Sequence, residues 1–147
     1  MQAARPAHSA RPAKKVREIM NKSAEEYIKT LYILKRRNER VRSVDIAREL
    51  GFSRASVSAA VTYLRNENII VMQGNGELEF TDKGERIADH IYERHKILSR
   101  FLCYVAGVDE ETAKADACGM GHFISERTYK GIKKYIKDHP ELKMIRK

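Results

Sequence analysis

The sequence has 147 residues, 42% of them hydrophobic with few aromatics and no Trp, enough for one compact unit or a small domain with a helical appendage. Lys and Arg number 29 against 20 Asp and Glu, and the net charge of +9 points to a polyanionic partner, nucleic acid first, with solubility alone as the bland alternative. Two cysteines without framework spacing, Cys103 and Cys118, argue against a disulfide scaffold and fit a reducing, cytoplasmic setting. No run of about 18 apolar residues exists, and the N-terminus lacks an apolar h-region, so neither a membrane span nor a secretory signal is expected.

Residues 1–20 read as a loose basic arm interrupted by Pro6 and Pro12. It either touches DNA phosphates or a minor groove, or does nothing specific. Ser23 followed by Glu26 is a capping-box pattern. Tyr27, Ile28, Leu31, Ile33 and Leu34 then recur at helical spacing to about Arg37. Ser43 is the expected cap of a short second helix with Val44, Ile46, Ala47 and Leu50 inward and Gly51 at its end. A third helix is expected from Arg54 to Glu67, capped by Ser53, with Val57, Ala60, Val61 and Leu64 as its apolar stripe. Ile69–Met72 and Glu77–Thr81 flank a Gly/Asn turn, which is a hairpin signal. A long fourth helix should start at Asp82, with Ile87, Ile91, Leu98, Leu102 and Val105 at near-heptad spacing, and end at Gly107. Its roughly 25 residues would extend about 37 Å. Asp109 should cap a fifth helix to about Gly119. A sixth should cover about Phe123 to Lys137 and stop before Pro140.

Residues 43–57 carry the strongest signal. A helix-turn-helix needs a small residue where its second helix presses on the first, and Ala47 supplies it. The turn favours a residue that tolerates positive φ, and Gly51 follows four residues later. Val57 is placed to anchor the second helix in the core. An ordinary helical hairpin is the competing reading, weakened by the β-hairpin and the charge. The fold class is therefore mainly α with a small β-wing: a winged helix-turn-helix over residues 21–82, a helical dimerisation and metal-sensing domain over 83–140, and a basic tail over 141–147.

The third helix becomes the recognition helix. Arg54 suits guanine, Ser56 and Ser58 suit base edges or phosphates, and Ala55 or Ala59 suit a thymine methyl. Ser53 and Thr62 lie on the same exposed side. Arg42, Arg48 and Arg65 suit phosphates, which position without specifying. Asn75 sits at the wing tip between Gly74 and Gly76. One winged helix offers little surface, so a homodimer on a pseudo-palindromic double-stranded operator is expected. The fourth helix and the small residues Ala113, Ala117 and Gly119 are candidates for its interface.

Several segments resemble the diphtheria-toxin-repressor and manganese-transport-regulator family of metal-dependent repressors. They are Ala24-Glu-Glu-Tyr-Ile-Lys-Thr-Leu-Tyr, Val44-Asp-Ile-Ala-Arg-Glu-Leu, Ser56-Val-Ser, Leu78-Glu-Phe-Thr-Asp-Lys-Gly, Arg94-His-Lys-Ile-Leu-Ser-Arg-Phe-Leu and Asp116-Ala-Cys-Gly-Met-Gly-His-Phe-Ile-Ser. The resemblance covers about residues 23–135. It implies a winged-helix domain, then a helical dimerisation and metal-binding domain in which metal raises operator affinity. The length fits the short form without an SH3-like domain. Carried over by position, it implies Glu26, His95, Cys118 and His122 as metal ligands. Gly121 stands where the family has Glu, and Lys29 where manganese-type members have a second Glu. Ser99 and Lys114 replace ligands of an ancillary site.

A cation at Lys29 repels a second metal at short range, so a binuclear manganese site is not expected. The residues themselves fit one ion. Cys118 and His122, at i and i+4, share a helical face. A thiolate with two imidazoles favours Fe²⁺, Co²⁺, Ni²⁺ or Zn²⁺, with Mn²⁺ as second choice. Structural readings stand beside this: a satisfied core histidine at His95, a small buried hydrophobe at Cys118 and helix capping at Glu26. Gly119 and Gly121 should loosen the fifth helix, so that a bound ion would order it. The alternative is a regulator with a degenerate site, metal-independent or thiol-responsive through Cys118. An enzyme using Cys118 and His122 lacks a third partner and a substrate loop, and is not expected.

Overall fold

The computed structural model describes residues 10–144, with side chains described for residues 23–142. Two compact units divide the chain at residues 84 and 85.

The first unit is built on α1, Ala10–Arg37. It starts well before Ser23, so the part of the expected arm from Ala10 onward is helical, and the rest lies outside the described residues. Ala, Arg and Lys are good helix formers. Pro12 falls in the first turn, where its missing N–H has no helical partner to lose. Ser23 and Glu26 are therefore interior to α1 and do not cap it. Ala24, Tyr27, Ile28, Leu31, Tyr32 and Leu34 are buried. Full burial of Leu31 alone contributes roughly 1.5–3 kcal/mol.

Helix α2 spans Ser43–Leu50. Arg42, not Ser43, holds the cap position, and its backbone N–H donates to the Asp45 carboxylate at 2.8 Å. Gly51 ends α2 with φ +67°, and the Phe52 N–H reaches back to the Ala47 carbonyl at 3.2 Å. That left-handed position is the one the turn requires of glycine. Helix α3 spans Arg54–Asn66, and Ser53 caps it by accepting the Ser56 N–H at 3.1 Å. Val57, Val61 and Leu64 are buried, spaced by one helical turn.

Strands β1 (Ile70–Met72) and β2 (Leu78–Phe80) pair antiparallel with Val71 opposite Glu79. Between them the Gly76 N–H donates to the Gln73 carbonyl at 2.9 Å, and Gly76 takes φ +85°. The segment before α2 joins the wing: Arg42 bridges Glu77, and the Leu78 N–H donates to the Val41 carbonyl at 2.8 Å. Ion pairs tie the wing to the end of α1 and the residues after it, Lys35 with Glu79 at 2.6 Å and Arg40 with Glu77 at 3.2 Å.

Helix α4, Asp82–Phe101, begins inside the first unit. Thr81 Oγ accepts the Gly84 N–H at 3.0 Å and donates to the Asn68 carbonyl at 2.7 Å. Beyond α4 the chain stays helical as a π-turn over Leu102–Ala106, and Gly107 ends it at φ +68°. Of the expected near-heptad stripe Leu98 is fully buried, but Val105 is 51% exposed.

In the second unit α5 covers Glu110–Phe123 and α6 covers Glu126–Asp138. A short α7, Glu141–Met144, covers the first part of the expected tail, and residues 145–147 lie outside the described residues. Asp109 caps α5 through the Thr112 N–H at 2.8 Å, and Ser125 caps α6 through the Thr128 N–H at 3.1 Å. Helix α5 runs on past Gly119, its expected end, to Phe123, and Gly121 faces the Leu98 side chain. Ile97, Leu98, Ala117, Tyr129 and Ile136 form the core, edged by Phe101, Met120, Ile124, Ile132 and Leu142. Arg94 lies over the Tyr129 ring at 4.9 Å, donates to the Ile124 carbonyl at 3.0 Å and pairs with Glu126 at 3.0 Å. One side chain thus fastens α4 to the corner between α5 and α6. Burial pushes the Tyr129 hydroxyl above the ordinary tyrosine range.

Candidate nucleic-acid interface and metal-ligand set

The helix-turn-helix sorts its residues sharply. Ile46, Val57, Val61 and Leu64 are buried. Arg42, Ser53, Arg54, Ala55, Ser56, Ser58, Ala59, Thr62, Arg65 and Asn75 are all exposed. On α3 the side chains directly opposite the buried stripe are Ala55, Ala59, Thr62 and Asn66. Small side chains on that line let the helix backbone approach a groove wall closely. Arg54 and Arg65 stand at the two ends of the helix, exposed and on its flank. Ser53 and Ser56 share a hydroxyl hydrogen bond of 2.9 Å, so both are oriented at the start of α3. Arg48 is also exposed and lies 3.7 Å from Asp45.

Thr62 and Arg65 line an open cleft of about 510 Å³ whose other wall includes Val71 and Met72 of β1. Asn66 and Asn68 line it too, and both are exposed. Sequence reasoning misses this pair. Asn66 is findable as the i+4 neighbour of Thr62. Asn68 carries a positive φ of 61° in the turn from α3 to β1, which spacing alone does not reveal. At the wing tip Asn75 Oδ1 accepts the Glu77 N–H at 3.1 Å, which fixes the turn while the residue stays exposed.

The four carried-over ligands fall in different units. Glu26 lies on α1 in the first unit, and its carboxylate pairs with Lys29 at 3.1 Å. His95 on α4 and Cys118 with His122 on α5 lie in the second, all partly buried. Among the described residues, no three His, Cys, Asp or Glu side chains form a group able to hold a metal ion. The donor types, one carboxylate, two imidazoles and one thiol, suit a transition metal. The two cysteines form no disulfide. Among the described residues no helix is long and apolar enough to cross a membrane.

Both units match one family. The description "Iron dependent repressor, N-terminal DNA binding domain" matches residues 20–78, and "Iron dependent repressor, metal binding and dimerisation domain" matches residues 81–143. The transcriptional regulator MntR of Escherichia coli is 33% identical over 115 residues, covering 78% of this chain and 74% of MntR. The chain belongs to the iron-dependent repressor family. Its first unit is therefore the DNA-binding winged helix of a metal-dependent transcriptional repressor, and its second is the family's metal-binding and dimerisation domain.

The iron-dependent repressor IdeR of Mycobacterium tuberculosis is 28% identical over 114 residues, 78% of this chain and 50% of IdeR. The solved manganese regulator SloR superposes with a TM-score of 0.70 at 24% identity, over 78% of this chain and 53% of SloR, a likeness of fold. The chain thus spans about half the length of IdeR and SloR.

Proposed function

We propose that this iron-dependent-repressor homologue is a cytoplasmic, sequence-specific repressor that binds a pseudo-palindromic operator as a homodimer when it holds one divalent transition-metal ion per chain. The observation that carries the DNA half is the sorting on α3. Its apolar anchors are buried, while every side chain expected to touch DNA is exposed. Ala55, Ala59 and Thr62 admit α3 to the major groove. Arg54 reads guanine, Ser58 reads a base edge, and Asn66 reaches the groove floor. Arg42, Arg48, Arg65 and the backbone around Asn75 set register on the phosphates. Ser53 and Ser56 hold the first turn of α3 rigid against the duplex.

Glu26, His95, Cys118 and His122 would hold the ion. It would supply positive charge and directional bonds that tie carboxylate, imidazole and thiolate donors together. The Lys29 ammonium, 3.1 Å from Glu26, would repel a second ion, so one ion per chain is proposed, and the thiolate favours Fe²⁺, Co²⁺, Ni²⁺ or Zn²⁺ over Mn²⁺. Coupling to DNA then requires that the ion bind the DNA-competent arrangement more tightly than the alternative. Equilibrium dialysis of chelator-stripped protein tests this. One ion of the Fe²⁺ to Zn²⁺ class per chain, lost in His122→Ala, is the expected result; two Mn²⁺ per chain would refute it.

One observation favours a second reading, a regulator whose metal site has decayed. Glu26, the one carboxylate of the proposed set, is already paired with the Lys29 ammonium at 3.1 Å. In that case dialysis finds no tight ion, and DNA binding is unchanged by chelator.

A further inference from the structure

The second unit carries a charged surface that neither the helix-turn-helix nor the metal-ligand set uses. Arg127, Lys130, Lys134 and Lys137 recur on α6 at steps of three, four and three residues. At 100° per residue they fall within an arc of roughly 80°. They extend along about 15 Å of helix. Buried Tyr129 and Ile136, with Ile132 beside them, occupy the opposite side. All four cations are exposed. Among the described residues, the ion pairs of α6 engage Glu126 with Arg94 and Lys133 with Glu93, not these four. Asp138 borders the stripe at its C-terminal end. Like charges three and four residues apart on a helix repel one another. An anion laid along the stripe relieves that repulsion.

We propose that this stripe is a second, sequence-independent contact to the phosphate backbone of double-stranded DNA. The proposal rests on the DNA-binding reading above, and extends it to a surface outside the winged helix. A lipid surface fits poorly. Membrane-surface helices offer an exposed apolar face, and that of α6 is folded into its own core. Single-stranded nucleic acid fits poorly too, because base stacking needs exposed aromatic faces. The stripe has none, and neighbouring Tyr135 is stacked on His139 at 4.1 Å. What remains is a row of point charges suited to phosphates.

The test is a salt titration of full-length protein on a labelled random-sequence duplex several helical turns long, read by fluorescence anisotropy. One variant changes Arg127, Lys130, Lys134 and Lys137 to Gln. A second keeps the charge: Arg127→Lys with Lys130, Lys134 and Lys137→Arg. Each phosphate left without its cation lowers the slope of log K against log salt by about 0.9, so the Gln variant should be shallower by about 2 to 4. With all four cations on phosphates, the affinity of the wild type falls about a hundredfold further than that of the Gln variant between about 50 and 200 mM salt. The charge-preserving variant should match the wild type. An unchanged slope in a Gln variant of normal melting temperature would overturn the proposal. An equally shallow slope in the charge-preserving variant would also overturn it, as would stripe-dependent binding to phosphatidylserine vesicles with an unchanged DNA slope. The operator reading fails separately: Ala59→Glu would then leave sequence preference intact, whatever the random-duplex slope shows.

Discussion

Gly84→Ala sets local propensity against tertiary packing at the start of α4. Helix scales favour Ala over Gly by about 0.8–1.0 kcal/mol, so propensity alone expects stabilisation. A Cβ built on Gly84 would stand 1.9 Å from the Ile69 carbonyl oxygen and 2.8 Å from its carbon. Both are backbone atoms, so no flexible side chain can swing away. That oxygen also accepts the Thr81 N–H at 3.0 Å and the Thr81 hydroxyl at 3.1 Å. Moving it by more than an ångström strains two hydrogen bonds, each worth roughly 0.5–1.5 kcal/mol. Overpacking adds about 1–3 kcal/mol. Against the propensity gain, the net loss is roughly 1–5 kcal/mol. At about 2–4 °C per kcal/mol the melting temperature should fall by roughly 2–20 °C in a circular-dichroism melt. Gly119→Ala is the control. It is also helical, nothing lies within 4 Å of its added Cβ, and it should raise stability by about 0.5–1 kcal/mol. A rise for Gly84→Ala equal to that for Gly119→Ala would show that α4 does not approach Ile69 as described.

Ala59→Glu places a carboxylate opposite the buried stripe of α3; it should cut DNA affinity at least tenfold, a loss of about 1.4 kcal/mol, with the melting curve unchanged. Normal binding would move the interface off α3. The Thr112 N–H, then its hydroxyl, hold the Asp109 carboxyl below the ordinary aspartate range. A group with a lowered folded pKa stabilises above its unfolded pKa and loses that contribution as pH falls through the folded value. Asp109→Asn should therefore flatten the acid limb of stability below the ordinary carboxylate range; parallel limbs in wild type and variant would refute this cap. Cys118→Ser separates the two regulator readings. A metal sensor loses metal-dependent DNA binding, whereas a thiol sensor loses only its response to oxidant.

Much of the first unit was legible because its signals are local. Ala47, Gly51 and Val57 each answer a steric demand of the helix-turn-helix, and the Gly/Asn turn between β-rich runs announces the wing. The start of α1 was hidden, since Ala, Arg and Lys without apolar periodicity resemble an arm until Pro12 is placed in a first turn. The Arg42–Glu77 bridge is non-local and leaves no trace in spacing. Gly84 reads as an ordinary helix-start residue until Ile69 is seen against it. The spacing of Arg127, Lys130, Lys134 and Lys137 was present in the sequence. Its outward direction depends on Tyr129 and Ile136 being buried, which only the packed unit reveals. The metal-ligand set came from family resemblance, and spacing supplied only the Cys118–His122 pair.

If metal governs DNA binding in this chain, affinity for an operator must depend on it. An operator duplex selected from a random library should be titrated with chelator-stripped protein, then with protein given Zn²⁺ or Co²⁺. Affinity should rise about 5- to 150-fold with metal. His95→Ala and His122→Ala should abolish that rise and leave the affinity of the metal-free chain for DNA unchanged. Equal affinity with and without metal would refute metal control and leave a constitutive winged-helix DNA binder.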